Sequence, residues 1–202
     1  MKKDLKFFFE NQFIEHKNVL EKTRLSISES FHDSLMICLE ALKKKKKILF
    51  FGNGGSASDS QHLATELTVR FNSNRPAIAA LALTTDSSTI TAVGNDFGFE
   101  FLFSRQIEAL GNPGDVAIGI STSGKSKNII VGLKKAQEIG LKTICFTGKH
   151  TKNLKNICSS VISIPAKNTS RIQEMHIFIG QMLCNAIEKG LNLSDYVESE
   201  KF

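Results

Sequence analysis

Residues 46–66 combine three patterns in an order that few folds accommodate. An unbroken apolar run of strand length, residues 48–51, stops at a loop of glycines and small hydroxyl residues. A helical pattern follows, and Ser58-x-x-Gln61 has the signature of a capping box at its start. Strand, glycine-rich loop and helix in this order predict an open parallel α/β sheet. Because such a loop presents backbone N–H groups and the positive end of a helix, it is the first candidate for an anion-binding site.

Two chemically active side chains follow this loop on the predicted helix. His62 and Glu66 are four residues apart, so both face the same side, about 6 Å apart at Cβ. An imidazole and a carboxylate so placed could bind a metal or move a proton. The same spacing is also that of an ordinary surface pair, and the two residues alone leave that alternative open.

Length and composition bound the possibilities. A chain of 202 residues, 41% hydrophobic and 23% charged, can bury one core, so a single domain over residues 1–202 is expected. Lys6, Glu10 and Gln12 interrupt the Phe-rich start, and neither a signal-peptide pattern nor an apolar run of bilayer length occurs. A cytoplasmic protein is expected.

The formal net charge of +6 owes much to the lysine run at residues 43–47. Such a run is compatible with a nucleic-acid patch. The run is explained better as the end of an amphipathic helix, because cations interact favourably with the negative end of the helix dipole. The chain then leads into a strand. No aromatic residue is interleaved with these lysines, which argues against nucleic acid as a partner.

The remaining chain alternates helical and strand patterns. Amphipathic helices over residues 4–23 and 30–42 precede the first strand, and their extra apolar faces indicate that residues 1–45 pack against another subunit. Beyond residue 46, the alternation predicts an α/β fold, a five-stranded parallel sheet flanked by helices on both faces. Four more strands are predicted near residues 78–83, 116–120, 142–146 and 161–164. Intervening helices are predicted over residues 58–70 and 170–189 and up to Ile139, with a turn-rich break at residues 94–98.

A second polar loop follows the strand at residues 116–120. Ser121, Thr122, Ser123 and Ser126 place four hydroxyls at the start of a helix. Phosphate needs hydrogen-bond donors, which backbone amides at a helix start and short hydroxyls supply. An ordinary N-cap followed by solvated serines would account for one or two of these hydroxyls but not for the cluster.

Two other phosphate-binding patterns also match. Gly119-x-x-x-x-Gly124-Lys125-Ser126 satisfies the Walker A expression, so an NTPase is a rival, although neither later strand ends in an aspartate that could serve as Walker B. Gly52-x-Gly54-x-x-Ala57 fits the dinucleotide fingerprint, but the acid that follows the second strand, Asp86, comes about thirty residues after the glycines rather than about 20.

Five segments spread over nearly the whole chain belong together. In chain order they are Gly52-Asn53-Gly54-Gly55-Ser56, Gln61-His62-x-x-x-Glu66-Leu67, Gly94-Asn95-Asp96-Phe97-Gly98, Gly119-Ile120-Ser121-Thr122-Ser123-Gly124 and Arg171-Ile172-Gln173-Glu174-Met175-His176. In type and order they closely resemble the bacterial phosphoheptose isomerases of the sugar isomerase (SIS) domain superfamily.

The resemblance implies a flavodoxin-like sheet, with residues 1–45 as oligomerisation helices and residues 46–202 as the sugar-phosphate-binding core. It also implies a homotetramer with active sites at subunit interfaces. The implied reaction converts sedoheptulose 7-phosphate to D-glycero-D-manno-heptose 7-phosphate through an enediol, for surface polysaccharide. Such a reaction needs a base, a group that polarises the carbonyl oxygen and an anchor for the phosphate.

The resemblance also implies roles for individual residues. Glu66 would move the proton, and a zinc ion would be bound by His62, Glu66, Gln173 and the residue at position 181. The substrate site would be lined by Asn53, Gly54, Gly55, Glu66, Asn95, Asp96, Ser121, Thr122, Ser123, Ser126 and Gln173. Two of these assignments have a simpler alternative, because Ser170-x-x-Gln173 is also a capping-box pattern and Asn95 and Asp96 are common turn formers.

Position 181 departs from the family pattern. Family enzymes carry a histidine eight residues after the Gln of the Arg-Ile-Gln-Glu block, as zinc ligand and acid/base partner, whereas this chain has Gln181. Glutamine cannot titrate, and its amide oxygen is a poor substitute for imidazole on zinc. Gln181 is still expected at the catalytic and fourth zinc position. The departure also raises an alternative, a non-catalytic SIS-domain protein that binds a partner such as the replication initiator.

Overall fold

The computed structural model describes residues 2–192. Before the first strand come helices α1 (Lys2–Ser26) and α2 (Ser28–Lys43). The strands are β1 (Ile48–Gly52), β2 (Ala80–Ala82), β3 (Val116–Ser121), β4 (Lys142–Thr147) and β5 (Ser160–Ser163). The later helices are α3 (Gly55–Thr68), α4 (Ser87–Asp96), α5 (Leu102–Leu110), α6 (Lys127–Glu138) and α7 (Thr169–Gly190), with a 3₁₀ turn at Phe99–Phe101.

The five strands form one parallel sheet in the order β2-β1-β3-β4-β5. This is the flavodoxin-like order, so the predicted fold class is confirmed. The direction of the strand order reverses between β1 and β3, and Gly52 at the end of β1 pairs with Ile120 of β3. The loops after these two strands, which carry the two polar motifs, therefore lie side by side where ligands bind in such sheets.

The central strands are apolar throughout because both faces of the sheet are covered. Every residue of β1 and β3 is buried. Phe50 and Ile118 belong to the core shared with α2, α3 and α7, whereas Leu49 and Phe51 belong to the core shared with α5 and α6. A continuous apolar run in place of an alternating pattern is what a parallel strand buried on both faces requires.

The start of α3 differs from the prediction. The helix begins at Gly55 rather than at Ser58, and the predicted capping box is wrong because the N-cap is Gly54, which makes no side-chain cap. Gly54 has φ of 55° and ψ of −122°, a backbone conformation that glycine adopts readily and residues with a side chain rarely do. This glycine turns the chain from the strand into the helix within two residues.

The predicted break at residues 94–98 starts later than expected. Helix α4 continues to Asp96, and the chain turns at Phe97 and Gly98, where φ is 101°. Asn95 and Asp96 therefore lie in the last helical turn, and the alternative that they are only turn formers is wrong. The N-cap of α4 is Asp86, whose carboxylate accepts from Thr89 N.

Three further features bear on function. The lysine run ends α2 and leads into β1 as predicted, and Lys47 pairs with the buried Asp115. Among residues 2–192, no helix is both long and apolar enough to cross a membrane. The assignment of residues 1–202 to one domain stays a prediction, and its last ten residues lie outside the described part of the chain.

Candidate active site

The loop after β1 is tied to the first turn of α6 by a pair of amides. Asn53 Nδ2 donates to Asn128 Oδ1 over 2.9 Å, and Asn128 Nδ2 donates to Asn53 Oδ1 over 2.8 Å. Asn128 is buried in the first turn of α6. Reciprocal amide pairing fixes both side chains, so the glycine-rich loop and the start of α6 are positioned together.

The serine loop, residues 121–126, is closed by its own hydrogen bonds. Ser121 Oγ donates to Ser126 Oγ over 3.1 Å, and the backbone N–H of Lys125 donates to Ser123 Oγ over 3.2 Å. Gly124 has φ of 63°, and a Cβ there would lie 2.7 Å from Thr147 Oγ1. The hydroxyls thus cluster at the N-terminus of α6, where backbone N–H groups and the helix dipole favour an anion.

A cavity of about 430 Å³ borders this loop. Thr122 and Ser123 line it together with three lysines, Lys125, Lys149 and Lys167, all of which are exposed. These lysines were not among the residues predicted for the site. Lys125 could have been found from its place in the loop, but Lys149 and Lys167 follow β4 and β5, and only the strand order brings them here.

Helix α7 approaches the glycine-rich loop from the other side. A Cβ on Gly55 would lie 1.8 Å from Nε2 of Gln173, so this carboxamide occupies the space beside the loop. Gln173 is not a capping residue, because the N-cap of α7 is Asn168, whose side chain accepts from Ser170 N over 3.1 Å. The capping-box alternative for Gln173 is wrong.

His62, Glu66 and Gln181 lie together between α3 and α7. His62 Nε2 is 2.8 Å from Glu66 Oε1, and Gln181 Nε2 is 3.5 Å from His62 Nε2. Because a carboxylate only accepts hydrogen bonds, the tautomer of His62 with its proton on Nε2 is the one that donates a hydrogen bond to Glu66. Contact with a side chain from a second helix distinguishes this pair from an isolated surface pair. The Glu66 side chain is 21% exposed, so it can be reached from solvent or by a ligand.

Asp59 adds an acid one turn before His62. Burial raises the pKa of this carboxyl to about 6, opposed by the positive charge of His62. Its Oδ2 atom is buried and has no hydrogen-bond partner among the described residues. The spacing of three residues from His62 was visible in the sequence, but the burial that perturbs Asp59 was not.

Asn95 and Asp96 lie apart from the two loops. Asn95 Nδ2 donates to Asp96 Oδ1 over 2.8 Å, and both residues are exposed. Asp96 lines a separate cavity of about 500 Å³ beside β2, to which neither polar loop contributes. Within the described part of this chain they are not brought to the serine loop, and their contact with substrate stays a prediction.

The side chains predicted to bind zinc do not suit this metal. Zinc is bound in proteins by thiolates, imidazoles and carboxylates, with three or four protein ligands. His62 and Glu66 supply one imidazole and one carboxylate, but Gln173 and Gln181 supply only neutral carboxamides, which are weak ligands. Across residues 2–192, no group of three or more His, Cys, Asp or Glu side chains is placed to hold a metal ion. Zinc stays a prediction that this donor set argues against.

The two rival phosphate motifs gain no support. The strands beside β3 end at Gly52 and Thr147, so no aspartate stands where a Walker B residue would follow the sheet. The Asp86 carboxylate accepts from Thr89 N over 3.1 Å and from Thr89 Oγ1 over 2.6 Å. It caps α4 and is engaged there, rather than free for a ribose. The hydrogen bonds from Thr89 also lower its pKa.

The sheet order, the two polar loops at its switch point and the helix that crosses them define a SIS-domain protein. A comparison with protein families agrees, since the family model described as SIS domain matches residues 12–148.

Comparison with individual relatives identifies the family within the SIS-domain proteins. The phosphoheptose isomerase of Paramagnetospirillum magneticum is 50% identical over 181 residues, which cover 90% of this chain and 94% of that protein. The phosphoheptose isomerase of Nitratiruptor sp. is 46% identical, with 89% and 96% covered. The solved phosphoheptose isomerase of Neisseria gonorrhoeae superposes with a TM-score of 0.86 at 37% identity, covering 92% of this chain and 99% of that one. The chain belongs to the phosphoheptose isomerase family.

Proposed function

We propose that this chain is an aldose–ketose isomerase that converts sedoheptulose 7-phosphate to D-glycero-D-manno-heptose 7-phosphate through an enediol. One observation carries the proposal: Glu66, a half-buried carboxylate held by His62, lies on the helix that starts from the glycine-rich loop. Relatives of 46–50% identity that bear the name phosphoheptose isomerase support the same substrate class. The product would supply heptose for surface polysaccharide, and the enzyme would act in the cytoplasm.

The serine loop is the proposed phosphate anchor. Its hydroxyls and the first N–H groups of α6 donate to the phosphate oxygens without a fixed counter-charge. Lys125, Lys149 and Lys167 add positive potential around the adjoining cavity, which raises the rate of encounter with an anionic sugar. Because these contacts act equally on the bound sugar and the transition state, their loss is expected mainly in KM.

Glu66 is the proposed base. It takes a proton from C1 of the open-chain ketose to give the enediol and returns a proton to C2 to give the aldose, so one carboxylate serves both steps. The hydrogen bond from His62 fixes Oε1, and Glu66 Oε2 has no hydrogen-bond partner within the described residues. The carboxamide of Gln181 lies beside His62 and that of Gln173 beside the glycine-rich loop, and both are proposed as hydrogen-bond donors for the sugar oxygens.

We also propose that the chain assembles as a homotetramer through the outer face of α1. This helix exposes four phenylalanines, Phe7, Phe8, Phe9 and Phe13, which are 57–70% exposed. Apolar side chains grouped in this way on a surface mark a site of contact with another protein. In such an assembly, Asn95 and Asp96 at the exposed end of α4 would complete a neighbouring subunit's site. Native mass spectrometry is expected to give a tetramer for the wild type and smaller species for Phe8→Ser/Phe9→Ser.

The experiment that tests the function is a product assay. Purified protein is incubated with sedoheptulose 7-phosphate, with and without added zinc, and aldoheptose phosphate is measured by chromatography and NMR. Formation of the aldose by the wild type, with at least about 100-fold less from Glu66→Gln, is expected because a positioned base contributes about 10²–10⁴-fold. No product under either condition would contradict the proposal. No observation favours the non-catalytic alternative, and capture of the replication initiator is not expected.

A further inference from the structure

We infer that this site works without a bound zinc ion, and that the side chain at position 181 decides whether His62 and Glu66 can hold one. The inference rests on the proposed function for its reaction, but the metal content that it predicts can be measured without substrate. It follows from the side chain at position 181 and from the hydrogen bond between His62 and Glu66.

The first step concerns His62. Its Nε2 atom is 2.8 Å from Glu66 Oε1, and this contact requires a proton on Nε2. While that proton is present the nitrogen has no lone pair for a metal, so zinc would have to displace it. Gln181 Nε2, at 3.5 Å from it, also carries hydrogens and cannot accept that proton. Of the three side chains, only Glu66 brings an anionic ligand atom to this point, and Gln181 brings a neutral amide.

The second step concerns position 181. The Gln181 side chain is half-buried and reaches His62 across the gap between α7 and α3. An imidazole starting from the same Cα would bring a second nitrogen ligand into the same space. With His62 and Glu66 it would make a set of two imidazoles and one carboxylate, which is a common zinc site. With the carboxamide of Gln181 at this position, only one imidazole and one carboxylate remain as zinc ligands.

The third step is what the carboxamides do instead. N–H groups of Gln173 and Gln181 donate to the sugar oxygens, so that charge developing on O2 is stabilised as Glu66 removes the proton from C1. The hydroxyl proton of O1 then passes to O2, directly or through a water molecule, and the proton held by Glu66 goes to C2. No atom is gained or lost, and neither glutamine changes its protonation state.

The test is the zinc content and zinc affinity of tag-free protein. Elemental analysis is expected to find well under one zinc per wild-type chain, and wild-type isomerase activity is expected to be unchanged by EDTA. Gln181→His is expected to take up one zinc per chain and to bind it at least about 100-fold more tightly by calorimetry. Changes in the surroundings of metal ligands already alter affinity about 10–100-fold, so a new ligand is expected to do more.

Three controls make the outcome specific. Gln181→His/His62→Gln is expected to bind zinc no more tightly than the wild type. Gln137→His, on the exposed face of α6, is also expected to show no gain in zinc affinity. Cobalt added to Gln181→His is expected to give the visible absorption of tetrahedral coordination, and circular dichroism checks its fold. One tightly held zinc per wild-type chain would overturn the inference, and so would a folded Gln181→His that binds zinc no better.

Failure of this inference and failure of the proposed function are distinguishable. A wild type that holds zinc but makes aldoheptose phosphate would overturn only the inference. A wild type that binds no zinc and makes no aldose even when zinc is added would overturn the function and leave the prediction of metal content standing, whereas a wild type that makes aldose only with added zinc would overturn the inference. If Gln181→His does not fold, the wild-type zinc content and the EDTA experiment still decide.

Discussion

Gln173 occupies the space that a side chain on Gly55 would need. A Cβ at residue 55 would lie 1.8 Å from Gln173 Nε2 and 2.6 Å from Gln173 Cδ. Gly54 has a positive φ, but Gly55 does not, so the backbone conformation does not require a glycine at residue 55. Glycine is needed there because it leaves room for α7 to approach the loop. Two residues 118 positions apart in sequence are matched in shape at the centre of the site.

Gly55→Ala is therefore expected to move Gln173 rather than to break the fold, because the clashing atoms are the end of a flexible side chain. We expect kcat/KM for sedoheptulose 7-phosphate to fall at least about 10-fold, as even small misplacements in a site cost up to about 10²-fold. The melting temperature should change little. Gly55→Ala/Gln173→Ala should be no worse than Gln173→Ala alone, since both changes remove the same contact. Additive losses would contradict this explanation.

Ser126→Ala removes a hydroxyl from the serine loop and breaks its hydrogen bond with Ser121. If the loop anchors phosphate, KM should rise by about 5–10-fold with kcat nearly unchanged, which corresponds to a lost hydrogen bond of about 1–1.5 kcal/mol. Ser88→Ala, on the exposed first turn of α4, is the matched control and should leave both constants unchanged. Steady-state kinetics with the ketose phosphate measures both, and an equal fall in kcat and kcat/KM would argue for a different role.

Glu188→Ala should destabilise the fold strongly. The Glu188 carboxylate on α7 accepts from the N–H groups of Phe71, Asn72 and Ser73 and from Arg75 Nε at 2.7 Å. Burial alone would raise its pKa, but the N–H of Phe71 and the Arg75 guanidinium hold the pKa below its ordinary value. Removing it leaves the buried Arg75 unpaired, at a cost of about 3–5 kcal/mol in the free energy of unfolding.

The matched control for Glu188 is Glu108→Ala. Glu108 pairs with Arg105 on the surface of α5, and both side chains are about half exposed. Exposed pairs contribute about 0–1 kcal/mol, so urea unfolding should hardly change. Equal effects of the two substitutions would show that burial of the Arg75–Glu188 pair does not matter.

The burial of His176 predicts that the folded protein loses stability in weak acid. It is fully buried, and burial lowers its pKa to about 4, opposed by the carbonyl of Thr147. Between pH 6.5 and pH 4 the unfolded chain binds a proton that the folded chain does not, so stability is complete above pH 6.5 and falls as the pH is lowered. The contribution of His176 to the loss from pH 7 to pH 5 is about 2 kcal/mol.

His176→Leu should remove that part of the pH dependence, whatever its effect on stability at neutral pH. The comparison is the difference in unfolding free energy between pH 7 and pH 5 for wild type and variant. Asp59 acts in the opposite direction, because a pKa raised to about 6 gives stability that is lost as the pH rises. An unchanged difference in the variant would contradict the assignment to His176.

The fold was predictable because its central strands are unambiguous in sequence. The apolar runs of β1 and β3 are each followed by a polar loop and a helical pattern, and that alternation leaves little choice but a parallel sheet. The capping-box pattern predicts the wrong start for α3, because Gly54, with its positive φ, turns the chain so that the helix begins three residues earlier, at Gly55.

The candidate site was predictable where its residues are local in sequence. His62 and Glu66 share a helix, and the hydroxyls of the serine loop share one turn. Lys149 and Lys167 could not be placed, because they reach the cavity only through the order of β3, β4 and β5. The contact of Gln181 with His62 depends equally on how α7 packs against α3.

Hydrogen exchange from solvent during turnover tests the central claim most directly. An enediol formed by Glu66 exposes the transferred proton to water, so sedoheptulose 7-phosphate incubated in D₂O with the wild type should gain deuterium at C1, and the aldose at C2, as followed by NMR. Glu66→Gln should bind the ketose phosphate in a thermal-shift assay yet show exchange reduced at least about 100-fold. Exchange by Glu66→Gln at the wild-type rate, or none with the wild type, would contradict the account.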